Sequence, residues 1–231
     1  MPLRDDEVEE ELSITGSTSR QVASLKRSHL KETTDTLLFS PTTHKPPSTE
    51  TVKMSGSKFS DAFTFLPQGA LIQEFRIANH NIVLGFPSAA SYKGPHTPYF
   101  GENIGRYANR ISGAKINSLN GRSYDLKANN GPNTLHGGAV GWGKKDFQGP
   151  EAVKRNGKEA ILWKYLSKDG EEGFPGTVEM RLWYTPSVET HEGKEKTCLE
   201  IEYEAELVGD EVQETAVSLT NHRYILLSSL F

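Results

Sequence analysis

Cysteine, long apolar runs and helical periodicity are scarce in this sequence, and each absence narrows what the protein can be. The 231 residues include one cysteine, so no internal disulfide can form and a reducing, cytoplasmic environment is expected. No apolar run reaches the roughly 20 residues of a membrane-spanning helix, and the acidic first residues contain no secretory signal. The net charge of -4, from 26 basic and 30 acidic residues, gives no reason to expect nucleic acid or a membrane surface as a partner.

Metal-ligand spacing is missing as well. Histidines outside the motifs described below follow no spacing typical of a zinc site. Glutamates recur at every second position from Glu200 to Glu206, which indicates the solvated face of a strand. We therefore predict no metal site.

Residues 1–57 differ in composition from the rest of the chain. They hold nine serines, nine threonines and one aromatic residue, Phe39. Such a segment buries too little apolar surface to offset the entropy of ordering it. We predict a disordered Ser/Thr/Pro-rich tail over 1–57 and a folded domain over 58–231. Met54, just before that domain, is an alternative first residue.

From Phe59 onwards the apolar residues alternate with polar ones, and turn signals such as Asn120-Gly121 and Asp169-Gly170 separate the runs. This period of two predicts half-buried strands. The predicted strands are 71–77, 161–166, 178–184, 199–207 and 215–219, the last continuing to His222. Many strands joined by regular turns indicate an all-β fold, a large antiparallel sandwich or barrel.

Four motifs carry a resemblance to a known family. They are Gly105–Ile111 (GRYANRI), Asn133–Gly138 (NTLHGG), Asp169–Gly176 (DGEEGFPG) and Leu219–His222 (LTNH). In this order they resemble the aldose 1-epimerase (galactose mutarotase) family over about Phe59 to Phe231. The resemblance implies a large antiparallel β-sandwich and an isomerase that interconverts the α and β anomers of free aldohexoses such as galactose and glucose, without a cofactor.

His222 is the candidate catalytic residue. If the run 215–222 is one strand, Ser218, Thr220 and His222 share a polar face, where an imidazole can stay hydrated and exchange protons. From residue type alone, a structural histidine bonded to a carbonyl is the commoner outcome. The resemblance implies that His222 protonates the ring oxygen of the sugar.

The candidate substrate-binding residues are Asn109, Arg110, His136 and Tyr224. Without the motifs, a loop histidine and a surface arginine would be the ordinary interpretations of His136 and Arg110. The resemblance implies that Asn109 and Arg110 contact sugar hydroxyls and that His136 bonds the sugar beside the reacting centre. It implies no substrate role for Arg106.

Other residues near the motifs have two interpretations. Tyr99, Phe100, Trp142 and Phe147 present flat rings on which a pyranose can stack, or they pack in the core or at its rim. The acidic residues of the 169–176 loop are expected to be solvated rather than catalytic.

The sequence departs from the family pattern after Asn221-His222. Arg223 replaces a small residue, and the glutamate that serves the family as catalytic base has no counterpart, so the sandwich is expected to be incomplete at the C-terminus. Three alternatives stay open: a non-catalytic carbohydrate-binding module, an epimerase of phosphorylated hexoses, and an inactive fragment. The phosphate alternative calls for a cluster of cationic residues, which the motifs lack.

Overall fold

The computed structural model describes residues 23–26, 52–53, 59, 61–77, 80–93 and 98–226, and within them the regular structure is β-strand and short 3-10 turns. The strands are β1 (Ala23–Lys26), β2 (Val52–Lys53), β3 (Phe63–Leu66), β4 (Leu71–Ile77), β5 (His80–Asn81), β6 (Asn103–Ile104), β7 (Arg110–Ile111), β8 (Lys115–Leu119), β9 (Arg122–Asp125), β10 (Thr134–Leu135), β11 (Gln148–Arg155), β12 (Lys158–Ser167), β13 (Val178–His191), β14 (Lys194–Leu207), β15 (Glu214–Val217) and β16 (Thr220–Asn221). The 3-10 turns are Ala89–Tyr92, Ser112–Ala114, Trp142–Lys144 and Glu171–Gly173.

Two four-stranded antiparallel sheets form the core of the molecule, in the orders β2-β3-β4-β5 and β11-β12-β13-β14. Phe63, Phe65 and Ile72 from the first sheet pack in one apolar cluster with Trp163 and Leu182 from the second. Because alternate residues of a strand point to opposite faces, each sheet presents one apolar face to the other. The predicted all-β antiparallel sandwich is confirmed.

The hairpin of β13 and β14 is the longest element, with 14 residues in each strand. Glu192 and Gly193, which join the strands, both have positive φ angles, as the twist of a tight hairpin requires. On the outer face Arg181 forms ion pairs with Glu204 and Glu206. The charged face predicted for residues 199–207, which lie in β14, is therefore confirmed.

The predicted continuous strand from 215 to 222 is wrong. The chain instead breaks into β15 and β16 around Ser218, whose N–H donates to the carbonyl of Arg106 while its own carbonyl accepts from the N–H of Ala108. The chain therefore exchanges its partner β1 for the segment around Tyr107 and then for β6. His222 lies beyond the end of β16, so its position follows from this second pairing and not from an unbroken alternation.

Two pieces of the 1–57 segment are described, and both are strands. β1 pairs antiparallel with β15, and β2 with β3. The rest of that segment lies outside the described residues, so its disorder and the boundary at residue 58 stay predictions. In the part of the chain that the structure describes, no helix has the length and apolarity to cross a membrane.

Candidate functional site

Pairing of β6 with β16 places His222. Thr220 lies opposite Ile104 and Asn221 opposite Asn103. One step further, the N–H of His222 donates to the carbonyl of Glu102 at 2.8 Å, and the N–H of Gly101 donates to the carbonyl of His222 at 3.1 Å. The backbone of His222 is therefore fixed to the residues just before the Gly105–Ile111 motif, independently of any side chain.

His136 is held by a second strand pair, β7 with β10, in which Leu135 lies opposite Arg110. Its N–H donates to the carbonyl of Asn109 at 2.9 Å. Gly137 follows with a φ of 83°, and a Cβ on it would lie 1.9 Å from the carbonyl oxygen of Gly105. Glycine is required at this position because the two backbones meet there, so the two motifs are joined through main chain.

The imidazoles of His136 and His222 meet edge to face, with centroids 5.1 Å apart and planes at 90°. Tyr99 contacts both, with its ring centroid 4.8 Å from that of His136 and 5.7 Å from that of His222. The ring of Tyr224 lies 5.4 Å from His222 on another side. Both histidines are half-buried, whereas Tyr224 is 46% exposed. The result is an aromatic-walled site open to solvent.

Burial controls the protonation of His136. Together with smaller effects of the nearby His222 and Arg110, burial lowers the pKa of this imidazole to about 4. The buried Nδ1 atom of His136 has no hydrogen-bond partner among the described residues. At neutral pH the ring is therefore uncharged, and it serves as a hydrogen-bonding group rather than as a cation.

The guanidinium of Arg110 is oriented by two amides. Its Nε donates to Oδ1 of Asn130, and its Nη1 donates to Oδ1 of Asn109, both at 3.1 Å. Arg110 and Asn109 are both exposed, because the chain bends before β7 and does not send the two side chains to opposite faces. An arginine fixed in this way presents donors in a set direction to a ligand.

The five residues predicted for the site therefore lie on two adjoining pieces of chain around the imidazoles. His222 and Tyr224 come from the end of β16, and His136 follows β10 beside Asn109 and Arg110. Their roles stay predictions, since position alone does not assign chemistry.

Arg106 does not belong to this cluster. Its side chain is 2% exposed and donates to the carbonyl of Pro175 at 2.8 Å and to the hydroxyl of Ser167. Burial lowers the pKa of this guanidinium to about 10. Trp142 and Phe147 are core residues as well, so of the four aromatic candidates Tyr99 makes the contacts with both imidazoles.

The expectation of solvated acidic residues in the 169–176 loop is wrong for Glu171 and Glu172. Glu171 accepts hydrogen bonds from the hydroxyls of Tyr165 and Ser167. Glu172 accepts from the N–H of Ala139, just after the His136 motif, at 2.9 Å. The loop folds back onto the protein, so both carboxylates are half-buried.

The ion pair that Glu102 and Lys144 form near the site was not indicated by the sequence. Glu102 is completely buried, and its Oε1 lies 2.6 Å from Nζ of Lys144. Nothing in the sequence pairs these residues, which come from different loops. In the described part of the chain, no three histidine, cysteine or acidic side chains converge as metal ligands.

The comparisons with known proteins agree on one family. A family model described as aldose 1-epimerase matches residues 57–230. "Bifunctional protein gal10" of Schizosaccharomyces pombe is 37% identical over 163 residues, which cover 70% of this chain and 22% of that protein. Galactose mutarotase of Sus scrofa is 40% identical over 148 residues, 64% of this chain and 38% of that protein.

A solved structure is similar as well. The aldose epimerase homologue from C. elegans superposes with a TM-score of 0.55 at 27% identity, covering 72% of this chain and 47% of that one. The chain thus spans between 22% and 38% of the length of the two relatives compared above. The fold and the family are shared over that part.

Proposed function

The chain belongs to the aldose 1-epimerase family, and from this premise we propose that it carries the proton donor and the sugar-binding groups for mutarotation of free hexoses such as galactose and glucose. The observation that carries the proposal is the pair of perpendicular imidazoles, 5.1 Å apart, beside the oriented guanidinium of Arg110. Two titratable rings in one solvent-open site can serve different purposes if their surroundings differ.

We assign different purposes to the two histidines. Burial lowers the pKa of His136 to about 4, so it is neutral and suited to hydrogen-bond a hydroxyl. We assign to His222 the transfer of a proton to the ring oxygen, because a histidine is the side chain best able to donate a proton near neutral pH. The ring then opens, the C1–C2 bond rotates, and closure returns the proton to His222.

Recognition of the sugar falls to Asn109 and Arg110. The Arg110 guanidinium is bonded to two amide oxygens, which orients its donors toward hydroxyl oxygens at little entropic cost. Tyr224 is a wall of the site, with an exposed ring suited to the apolar face of a pyranose. No cofactor enters this scheme.

The base that removes the C1 hydroxyl proton is not assigned among the described residues. Glu102 is fully buried and ion-paired with Lys144, so it cannot reach a sugar in the open site. Glu172 already accepts a hydrogen bond from the N–H of Ala139, so we do not assign it as the base. The proposal for this stretch of chain is therefore the acid and binding half of the reaction.

Calorimetric titration of the full chain with D-galactose and D-glucose tests the binding half. Saturable hexose binding by the wild type, lost in each of the single variants Arg110→Ala and His136→Ala, supports the proposal. Absence of hexose binding by the folded wild-type chain would refute it. A sugar-binding module without catalysis would bind in the same way. Polarimetry of fresh α-D-galactose separates the two when it is done on a chimera in which the C-terminal part of the Sus scrofa galactose mutarotase follows the matched segment.

A further inference from the structure

Glu102 is a buried charge that the proposed reaction does not use. Its side chain has no exposed surface, and Oε2 has no hydrogen-bond partner among the described residues. Burial raises the pKa of this carboxyl to about 7, against the opposing effect of Lys144. Because burying a carboxylate is costly, stabilisation of the fold does not by itself account for Glu102.

Lys144 is held where it can meet that carboxylate. It ends the 3-10 turn Trp142–Lys144, which is fixed to the first motif by a bond from the N–H of Trp142 to the carbonyl of Gly105 at 2.9 Å. Gly143 packs its backbone against Glu102, since a Cβ there would lie 2.5 Å from Oε2. The contact between turn and carboxylate is therefore close and leaves little room for movement.

The same ammonium group reaches the wall of the site. Nζ of Lys144 lies 4.7 Å from the centroid of the Tyr99 ring, within the range of a cation–π contact. The same ring also contacts both histidines, since its centroid lies 4.8 Å from that of His136 and 5.7 Å from that of His222. Tyr99 is thus in contact with the buried ion pair and with both imidazoles.

Glu102 also acts through its backbone. Its N–H donates to the carbonyl of Tyr99 at 3.2 Å, and its carbonyl accepts from the N–H of His222 at 2.8 Å. One residue thereby links Tyr99, Lys144 and His222.

We propose that Glu102 and Lys144 are positioning residues that hold the Tyr99 ring against His136 and His222 and so set the geometry of the two imidazoles. This inference rests on the proposed function for its purpose, but its geometric claim can be tested without it. Residues that support reacting groups from behind fix their orientation.

The test is NMR of the imidazole C–H groups in the full chain, with the His136 and His222 signals assigned through His136→Gln and His222→Asn. Lys144→Met and Glu102→Gln are each expected to shift both sets of signals and to weaken D-galactose binding about tenfold. Lys144→Arg, which keeps a cation, should restore signals close to those of the wild type.

Lys145→Met is the matched control. Lys145 is the next residue along the chain, and its Nζ lies 3.3 Å from Oε1 of Glu171, which among the described residues makes no ring contact with either imidazole. It should leave both histidine signals in place. Unshifted His136 and His222 signals in folded Lys144→Met would overturn the inference.

Tyr99→Leu guards against a variant that fails to fold. Because Tyr99 is half-buried, this change removes the ring without stranding a buried charge, and the same signals should move. Unmoved signals would again overturn the inference. If the wild type binds no hexose while the signals shift as described, the proposed function fails and the positioning role stands.

Discussion

His136 and His222 each follow the end of a different strand pair, yet their rings meet at 90° with centroids 5.1 Å apart. Neither strand pair contains both residues. The contact exists because Gly137 lets the backbone of the second motif approach the carbonyl of Gly105. In addition, β16 pairs with β6, which ends directly before Gly105. Two main-chain contacts thus bring together the groups on which the proposed chemistry depends.

Arg110→Ala is expected to weaken binding of D-galactose by tenfold or more, because a charged donor to a hydroxyl contributes about 1–3 kcal/mol. Calorimetry measures the change. Arg122→Ala is a matched control, since Arg122 is also exposed and donates from Nε to the hydroxyl of Tyr124. Equal affinities for wild type and Arg110→Ala would assign Arg110 to surface charge alone.

His222→Asn is expected to remove proton donation while leaving hexose binding within a few fold. The measurement is polarimetry of α-D-glucose with a chimera in which the C-terminal part of the Sus scrofa galactose mutarotase follows the matched segment. Loss of the acid should slow the reaction by about 10²–10⁴-fold. His80→Asn, on an exposed residue of β5, provides the control. A His222→Asn chimera as fast as its parent would contradict the assignment.

His136 should make the stability of the protein depend on pH. Its pKa falls from 6.5 to about 4 on folding, so between these values the unfolded chain binds a proton that the folded protein does not. The contribution is fully present above pH 6.5 and is lost as the pH falls toward 4. We expect the wild type to lose about 1–2 kcal/mol more than His136→Gln between pH 7.5 and 4.5, less than the full pKa difference would give because the ring is only half-buried and solvent screens its charge.

Urea unfolding of both proteins across this range measures the difference. Glu102 acts in the opposite direction, because its pKa is raised from 4.5 to about 7 and its contribution is lost as the pH rises. It is present in both proteins, so the comparison cancels it. If the free energy of unfolding depends on pH in the same way for wild type and His136→Gln, the pKa of His136 is not shifted by folding.

Asn103 is expected to be a stability residue beneath the site. Its side-chain N–H group donates to the carbonyls of Gly69 and Ala70, and Tyr203 donates to its Oδ1 at 2.7 Å. Asn103→Ala removes these bonds and leaves the hydroxyl of Tyr203 without its acceptor, and we expect a loss of about 1–3 kcal/mol in the free energy of unfolding. Asn117→Ala, at an exposed position of β8, should change it by less than about 0.5 kcal/mol. A similar small change at Asn103 would contradict the buried network.

The sequence predicted those features of the fold that depend on local residue patterns. Alternation in β4, β12, β13 and β14 predicted the strands, because each side chain's burial is fixed by its own place in the pleat. The four motifs indicated the family and contain four of the five predicted site residues, and Tyr224 follows the last motif. Alternation misplaced the run to His222, since the partner that breaks it, the Arg106–Ala108 segment, is remote in sequence.

The sequence by itself determined the all-β class, the turn positions and the identity of His136 and His222 as a candidate pair. Only the tertiary structure decided that Lys144 reaches Glu102, that Glu172 turns back to Ala139, and that Arg106 is buried while Arg110 is exposed. The physical reason is the same in each case. A charge is placed by the partner that offsets its desolvation, and that partner comes from another loop, which no local pattern of residues records.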